Sequence, residues 1–354
     1  MALASLSSLA VLASADDAPK IDITGSLDIY YQFDFNKPLT GATVNGRQFD
    51  VRHNSFSFTA GQINFSKAVT KESPLGATLQ LYFGPNADTL VVSDPGGDSL
   101  KNVLQGYVTY NVGGATVDFG KFLTWIGSEV VPAGDNANYS RSFLFTYGQP
   151  VYHVGLRASK PVGPFGVTAA LVNGWNEAED SNGGKTLGLS VSYVKGPLTT
   201  AVNYYGGVEG AGSETTTGIG FSRREVNMVD LVANWKVSDV LTVGLNADYA
   251  DAKAKTSAQS GKWNGVAAYA TQSLTEKTSV SGRWETFSDP NGLRTGSDSL
   301  LNSLTLTLSH APAKDVKVFV EFRHDTANMS IFPKDGGILK DKRDTITFAG
   351  VFKF

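Results

Sequence analysis

The chain has 354 residues and a formal net charge of -3, and charged residues make up 18% of it, below the roughly 25% of average soluble domains. Cysteine is absent, which excludes disulfides, thiolate metal sites and covalently attached haem, and the slightly acidic balance argues against a nucleic-acid partner. The mean hydropathy is -0.11, and no stretch approaches the ~20 apolar residues that a membrane-spanning helix needs.

The beginning of the chain predicts an export signal. Residues 1–15 are small and apolar, and they end in Ala13-Ser14-Ala15 ahead of two aspartates. An apolar core followed by an A-x-A site is typical of a secretory signal, with an unprocessed apolar leader as the alternative. The usual Lys/Arg-bearing start is missing, so we expect the true start of the signal to lie upstream of Met1. We therefore predict a signal peptide over 1–15 and one domain over 16–354.

From Ile21 onward the sequence predicts strands with one apolar and one polar face. The first strand alternates apolar residues at 21, 23, 27, 29, 31, 33 and 35 with polar ones, and the segments 187–193, 241–249, 304–309 and 316–323 keep the rule. Two segments fit less well. Phe56 and Phe58 fall on the opposite face from Ile63 and Phe65, which predicts a bulge near 59–61. The Ala-rich segment 262–273 leaves its register open.

The connections between these strands alternate between short and long. Seven are short, namely 71–76, 112–115, 161–165, 195–197, 238–240, 274–277 and 311–315, and eight are long, namely 37–54, 85–100, 123–148, 176–184, 207–224, 251–261, 288–299 and 327–343. They join about sixteen strands, an even number that places both ends of the domain on the short-turn side. This layout is that of outer-membrane barrels, which have short periplasmic turns and long extracellular loops.

The distribution of charge decides which face points inward. The apolar faces carry almost no charge, whereas a soluble sandwich would scatter Lys and Glu over its outer face. The polar face must then line the inside and the apolar face must meet lipid. We therefore predict an all-β fold, a transmembrane antiparallel β-barrel of about sixteen strands.

The last strand, 344–354, places Ile346, Phe348, Phe352 and Phe354 on one face. It resembles the C-terminal strand of bacterial outer-membrane barrels. That resemblance implies that Phe348, Phe352 and Phe354 form an assembly signal read by the barrel-assembly machinery. The alternative is an ordinary edge strand.

Several motifs are more specific than a general barrel pattern. They are Phe83-Gly-Pro-Asn-Ala-Asp88, Asp118-Phe-Gly-Lys-Phe122, Ile126-Gly-Ser-Glu129, Asn138-Tyr-Ser-Arg-Ser-Phe-Leu-Phe145, Val172-Asn-Gly-Trp175, Arg283-Trp-Glu-Thr-Phe-Ser-Asp-Pro-Asn-Gly292 and Glu321-Phe-Arg-His-Asp325. In this order they resemble the OmpL-like β-barrel porin family of bacterial outer membranes, over nearly the whole chain from Ile21. The resemblance implies outer-membrane location and porin-type transport, and it implies no particular solute.

A barrel of this strand number is wide enough for an aqueous channel. The sequence therefore favours a passive porin for ions and small hydrophilic solutes, with no catalytic residues, cofactor or metal. The alternative is a non-transport barrel, either an adhesin or scaffold or an outer-membrane enzyme. Lipid, the assembly machinery and small solutes are the expected partners, and a homotrimer is compatible with this size.

The longest connection, 123–148, is the candidate constriction loop, and an outward surface loop is its alternative. It carries Trp125, Glu129, Asp135 and Arg141, and inward folding would bring Glu129 and Arg141 opposite Arg157 or Arg283. The charged residues expected to line the pore are Asp28, Asp34, Asp118, Arg157, Asp230, Lys236, Asp248, Arg283, Glu285, Lys317, Glu321, Arg323 and Asp325. With Asp22 and Lys353 they give three more acids than bases, which predicts a weak cation preference that depends mainly on Asp28 and Asp34.

Overall fold

The computed structural model describes residues 20–39, 46–91, 94, 97–210, 223–255 and 259–354. The expected signal peptide over 1–15 lies outside the described residues. The described chain forms a closed barrel of sixteen strands and a separate two-stranded sheet. The predicted fold class is confirmed.

The barrel strands occur in an order that alternates up and down the wall. They are β1 (Ile21–Asp34), β2 (Ser55–Lys67), β3 (Leu75–Phe83), β4 (Val103–Val112), β5 (Ala115–Leu123), β6 (Tyr152–Val162), β7 (Phe165–Val172), β8 (Thr186–Lys195), β9 (Leu198–Glu209), β10 (Arg224–Lys236), β11 (Leu241–Ala254), β12 (Gly261–Ser273), β13 (Thr278–Asp289), β14 (Ser299–Ala313), β15 (Val316–Ala327) and β18 (Lys342–Lys353). The small sheet pairs β16 (Phe332–Pro333) with β17 (Leu339–Lys340) in the last long connection.

The barrel closes where the first strand meets the last. β1 pairs antiparallel with β18, from Ser26 opposite Lys353 to Asp34 opposite Thr345. Gly25 and Phe354 extend this ladder, because each backbone N–H donates to the other's carbonyl oxygen at 2.8 and 3.0 Å. A side chain on Gly25 would collide with the Phe354 ring, since an added Cβ would lie 2.3 Å from Cζ. Glycine at this position therefore lets the terminal ring lie across the seam.

The described parts of the long connections contain a few helical segments. α1 (Pro85–Val91) and α2 (Gly97–Leu100) lie between β3 and β4. A 3₁₀ turn, Ala133–Asp135, and a π-helical turn, Leu144–Gly148, lie between β5 and β6, and a second 3₁₀ turn, Asp335–Gly337, lies near the small sheet. Among the described residues, no helix combines the length and the apolar character needed to cross a bilayer.

The two faces of the wall have the predicted orientation. Large apolar side chains point outward and remain exposed along the strands, for example Ile29 at 55%, Leu306 at 50% and Phe322 at 41%. Polar residues at alternating positions, such as Gln32, Asn246 and Thr305, point inward and are almost fully buried. Because the inward face is buried, other parts of the chain must fill much of the barrel interior.

The structure also resolves the two irregular segments. The register between β1 and β2 shifts at Asp28/Ile29, whose partners are Ala60 and Phe58, so Thr59 is the extra residue of a bulge. Its hydroxyl donates to the Asp28 carbonyl at 2.9 Å, and the predicted bulge is confirmed. In β12, Trp263, Ala267 and Tyr269 point inward and are buried, which fixes the register that the sequence left open.

Candidate pore constriction

The connection between β5 and β6 enters the barrel instead of staying above it. Immediately after β5, the Gly127 N–H donates to Oδ2 of Asp230 on β10, and the Ser128 N–H donates to Oδ1 of Asn246 on β11, both at 3.2 Å. Trp125 precedes this crossing and lies against β8, where a Cβ on Gly188 would sit 2.0 Å from the indole. The absence of a side chain at Gly188 therefore makes room for the loop.

The middle of the loop is fixed by buried charges. Glu129 accepts from Nη1 of Arg283 on β13 at 2.7 Å, and its other oxygen accepts from the Ser142 N–H and Oγ at 2.7 and 2.8 Å. The Phe143 N–H donates to Glu285, also on β13, at 2.5 Å. The Glu129 and Arg283 side chains are at most 5% exposed, so water screens the ion pair poorly. A short hydrogen bond between two charged groups in such a site is a strong attachment for the loop.

The returning half of the loop crosses to the opposite wall. The N–H groups of Tyr139 and Ser140 donate to the two oxygens of Glu321 on β15, at 2.7 and 3.0 Å. The Tyr139 hydroxyl donates to Asp28 on β1 at 2.9 Å. Burial and the negative charge of Asp28 raise the pKa of Tyr139 well above its ordinary value, so the hydroxyl keeps its proton and remains a donor.

The tip of the loop reaches the end of the barrel that carries the short turns. Asp135 pairs with Lys353 at 2.6 Å, and Nζ of Lys317 donates to the carbonyls of Gly134 and Asn136, both at 3.1 Å. Arg141 holds the two halves of the loop together, since it donates to the carbonyls of Val130, Val131 and Tyr139. The loop is therefore a folded unit tied to most of the wall.

Apolar contacts accompany each polar anchor. Among the described residues, three hydrophobic clusters lie inside the barrel, and each contains loop residues. Phe143 and Leu144 belong to one, Val131 and Phe145 to another, and Tyr139 to the third. The second cluster also includes Leu90 of α1, so the helix between β3 and β4 packs inside the barrel as well.

A chain of buried charges links two loops to the wall. Its members, in spatial order, are Asp50, Arg47, Asp325, Arg323, Glu285, Arg283 and Glu129, and Arg343 joins at Asp325. Four acids and four bases balance, which a buried network requires because an unpaired buried charge is very costly. The sequence interpretation missed Arg47, Asp50 and Arg343. Arg47 and Asp50 lie in the connection after β1, where alternation gives no signal. Arg343 was assigned to the long connection 327–343, whereas the structure places it at the start of β18.

The predicted pore-lining residues face inward, but most of them are buried, several beneath the loop. Asp28, Asp34, Asp118, Asp230, Asp248, Arg283, Glu285, Glu321, Arg323 and Asp325 are each at most 9% exposed. Lys317 holds the loop tip, and Lys236 is exposed beside Asp239 at a short turn. Arg157 pairs with Asp118 at 2.8 Å. Of the two alternative wall partners expected for the loop, Arg157 and Arg283, the contact that the structure shows is with Arg283, through Glu129 at 2.7 Å.

On one sector of the wall, formed by β4 to β6, several inward side chains remain partly exposed. The inward side chains of Gln105, Tyr107 and Thr109 on β4 and of Arg157 on β6 are half-buried. Thr109 donates to Asp118 at 2.7 Å, so this sector is hydroxyl- and amide-rich with one neutralised ion pair. Within the described ranges, no three His, Cys, Asp or Glu side chains gather where a metal ion could be held.

A closed sixteen-stranded barrel with an apolar outer wall and a loop held inside has the architecture of a porin. A family model described as "Putative beta-barrel porin-2, OmpL-like" matches residues 20–354. The chain belongs to this family of bacterial outer-membrane β-barrels. No curated protein matches the chain.

Solved porin structures share the fold at low sequence identity. An anion-selective porin from Comamonas acidovorans is 12% identical, with 95% of this chain and 100% of that chain covered and a TM-score of 0.65. The outer membrane channel DcaP of Acinetobacter baumannii is 12% identical, with 97% and 99% covered and a TM-score of 0.62. Salmonella typhi OmpF, in complex with daunomycin, is 13% identical, with 96% and 99% covered and a TM-score of 0.62. At such identities the likeness concerns the fold alone.

Proposed function

We propose that this protein is a passive porin that conducts ions and small hydrophilic solutes, and that residues 123–148 form its constriction. The observation that carries this proposal is the attachment of the loop across the barrel by the Glu129–Arg283 and Tyr139–Glu321 contacts. A loop held in this way narrows the aqueous path but leaves space between the loop and the wall formed by β4 to β6. Neither a catalytic group nor a cofactor is part of this mechanism.

The path runs between the loop and the sector that contains Gln105, Thr109 and Arg157. Amide and hydroxyl groups replace part of the water shell of a passing solute, while the Asp118–Arg157 pair adds no net charge. Selectivity by charge comes from rings of uncompensated side chains, and screening over ~8 Å at physiological salt weakens distant ones. The pore therefore selects mainly by size, with weak charge preference.

Single-channel conductance in planar bilayers tests the proposal. The wild type should give discrete open steps, and deletion of 127–139 should raise the step size because the inward loop is shortened. Deletion of Gly336 and Gly337, which lie exposed in a different loop, is the matched control and should leave the step size unchanged.

Each outcome of the conductance experiment has a distinct meaning. A wild-type barrel that folds and inserts but conducts nothing would favour the non-transport alternative, an adhesin, scaffold or outer-membrane enzyme. If the wild type conducts and the 127–139 deletion does not change the step size, the porin function is supported and the proposed constriction by residues 123–148 is refuted.

We further propose the route by which the protein reaches the outer membrane. Residues 1–15 direct export, the domain over 16–354 folds as one unit, and Phe348, Phe352 and Phe354 engage the barrel-assembly machinery. Phe348, Phe352 and Phe354 are 46%, 45% and 59% exposed on the outer face, which makes them accessible to such a partner. A homotrimer is the proposed assembly, and crosslinking in native membranes tests it.

A further inference from the structure

Two acidic side chains lie directly opposite each other on the inner wall of the barrel. Asp230 on β10 and Asp248 on β11 are register partners, and their carboxyl groups are in hydrogen-bond contact. They are 0% and 4% exposed. Within the described part of the chain, neither forms an ion pair with a Lys, Arg or His side chain. Two carboxylates in contact and shielded from water repel each other, and one shared proton removes this repulsion.

The hydrogen bonds around this acid pair indicate which carboxyl group carries the proton. Asp230 accepts from the Gly127 N–H at 3.2 Å and from Nδ2 of Asn203 at 2.6 Å, and Nδ2 of Asn246 is a third donor. Several N–H donors stabilise the ionised form of a carboxyl group. Asp248 accepts only from Asn246, at 3.2 Å, and among the described residues no donor reaches its buried Oδ2. A proton on Asp248 that is donated to Asp230 therefore satisfies both groups.

Both ends of the constriction loop rest on the acid pair. At the entering end, one backbone N–H donates to Asp230, and the next, that of Ser128, donates to Asn246. Asn246 in turn donates to both carboxyl groups. At the returning end, Gly148 lies against Asp248, since an added Cβ would be 3.0 Å from Oδ2. A change in the charge of the pair therefore acts on two attachment points of the loop.

The other ionisable groups on the surrounding elements do not offset a second negative charge. They are Arg224 and Lys236 on β10, Tyr205 on β9, Tyr269 on β12, Arg283 and Glu285 on β13, and Glu129 and Tyr147 in the loop. Arg283 lies between Glu129 and Glu285. The two cations of β10 lie six residues from Asp230, about 20 Å along the strand. The tyrosines remain neutral below about pH 9, because tyrosine ionises near pH 10 and burial disfavours its charged form.

Loss of the shared proton would leave two negative charges buried beneath the loop. Water relieves such a charge only if the loop moves away from the wall. We propose that the Asp230–Asp248 pair is a proton-dependent attachment of the constriction loop, which holds the loop against β10 and β11 while the pair carries one proton and releases it when that proton is lost.

The direction of the pH dependence follows from proton counting. The attached loop binds one proton more than the released loop, so the attached state is favoured at low pH and is lost as the pH rises through the titration of the pair. Above that titration, the ratio of attached to released loop falls by at most about tenfold per pH unit, because one proton is involved. Only the effect on conductance rests on the proposed porin function.

Urea titration of the refolded barrel in lipid vesicles tests the proposal without conduction. The pH is varied from about 6 to about 9, below the range in which tyrosine ionises. Asp248→Asn keeps the shape and provides a permanent N–H donor toward Asp230. The wild type should therefore lose stability relative to Asp248→Asn as the pH rises. Glu225→Gln, at an exposed ion pair, is the matched control and should follow the wild type.

Infrared difference spectroscopy locates the proton itself. At neutral pH, the wild type should show the carbonyl stretch of a protonated carboxylic acid that is missing from Asp248→Asn. Asp230→Asn replaces this variant if it gives no heat-modifiable folded band. With its negative neighbour removed, the remaining carboxyl group should lose its proton at a lower pH than the wild-type pair.

Single-channel conductance shows whether release of the loop widens the path. At constant salt concentration, the wild-type step size should rise with pH toward that of the 127–139 deletion. Asp248→Asn should keep a small step size throughout the same range.

Three outcomes overturn the proposal. The first is an equal pH dependence of stability in the wild type and Asp248→Asn. The second is an absent carboxylic-acid band together with stability that depends on the Na⁺ or Ca²⁺ concentration, which would assign a bound cation to the pair in place of the proton. The third is a conducting wild type whose step size does not change with pH. A wild type that never conducts would instead refute the proposed porin function, and the urea and infrared measurements would still decide the inference.

Discussion

The Glu129–Arg283 contact offers the sharpest test of the loop anchor, through the substitution Glu129→Gln. The two carboxylate oxygens face donors on both sides, Arg283 Nη1 at 2.7 Å and the Ser142 N–H at 2.7 Å. A glutamine keeps the shape but replaces one oxygen with an NH₂ group. In either amide orientation, that NH₂ group faces a donor.

The expected cost follows from burial. Breaking one side of a buried ion pair typically destabilises a protein by about 3–5 kcal/mol. Arg283 keeps Glu285 nearby at 3.5 Å, and glutamine keeps one acceptor, so the lower end of the range applies. We expect a loss of about 3 kcal/mol in the free energy of unfolding, about a hundredfold in the folding equilibrium.

Urea titration of the refolded barrel in lipid vesicles, followed by tryptophan fluorescence, measures this loss. Glu225→Gln is the matched control, because Glu225 pairs with Lys255 and both side chains are more than 40% exposed. Exposed pairs of this kind contribute little to stability, because water and salt screen them. Equal, small changes for both variants would refute the reasoning that the buried pair anchors the loop.

Two further sets of substitutions and one deletion test the other parts of the description. Asp28→Asn combined with Asp34→Asn should leave the reversal potential in a salt gradient unchanged, since both residues are at most 9% exposed. A reduced cation preference would instead show that the two carboxylates face the water path, as the charge count alone predicted. Arg157→Gln should shift the reversal potential toward cations, because it leaves Asp118 unpaired beside the path. Removal of Phe354 should lower the amount of heat-modifiable barrel in the outer membrane. If the truncated protein assembles at normal levels, Phe354 is not part of an assembly signal.

The sequence alone determined the wall of this protein. Strand number, the orientation of the two faces, the alternation of short and long connections and the bulge at Thr59 all follow from residues close together in the chain. Period-two alternation is a local property, because successive side chains of any strand point to opposite faces. A register slip at a bulge is equally local, so Phe56, Phe58, Ile63 and Phe65 were enough to reveal it.

Only the tertiary structure decided what fills the barrel and how far neighbouring strands pair. Glu129 and Arg283 are 154 residues apart, and no local pattern indicates which of several inward charges a loop will meet. Burial also gives the inward charges a structural role. Pairs such as Asp325 with Arg343 neutralise one another beneath loops instead of lining a pore. β2 pairs with β1 from Ser55 but with β3 only from Gly61. This difference depends on where β3 ends relative to its neighbour, a relation between two strands that the alternation within either one does not contain.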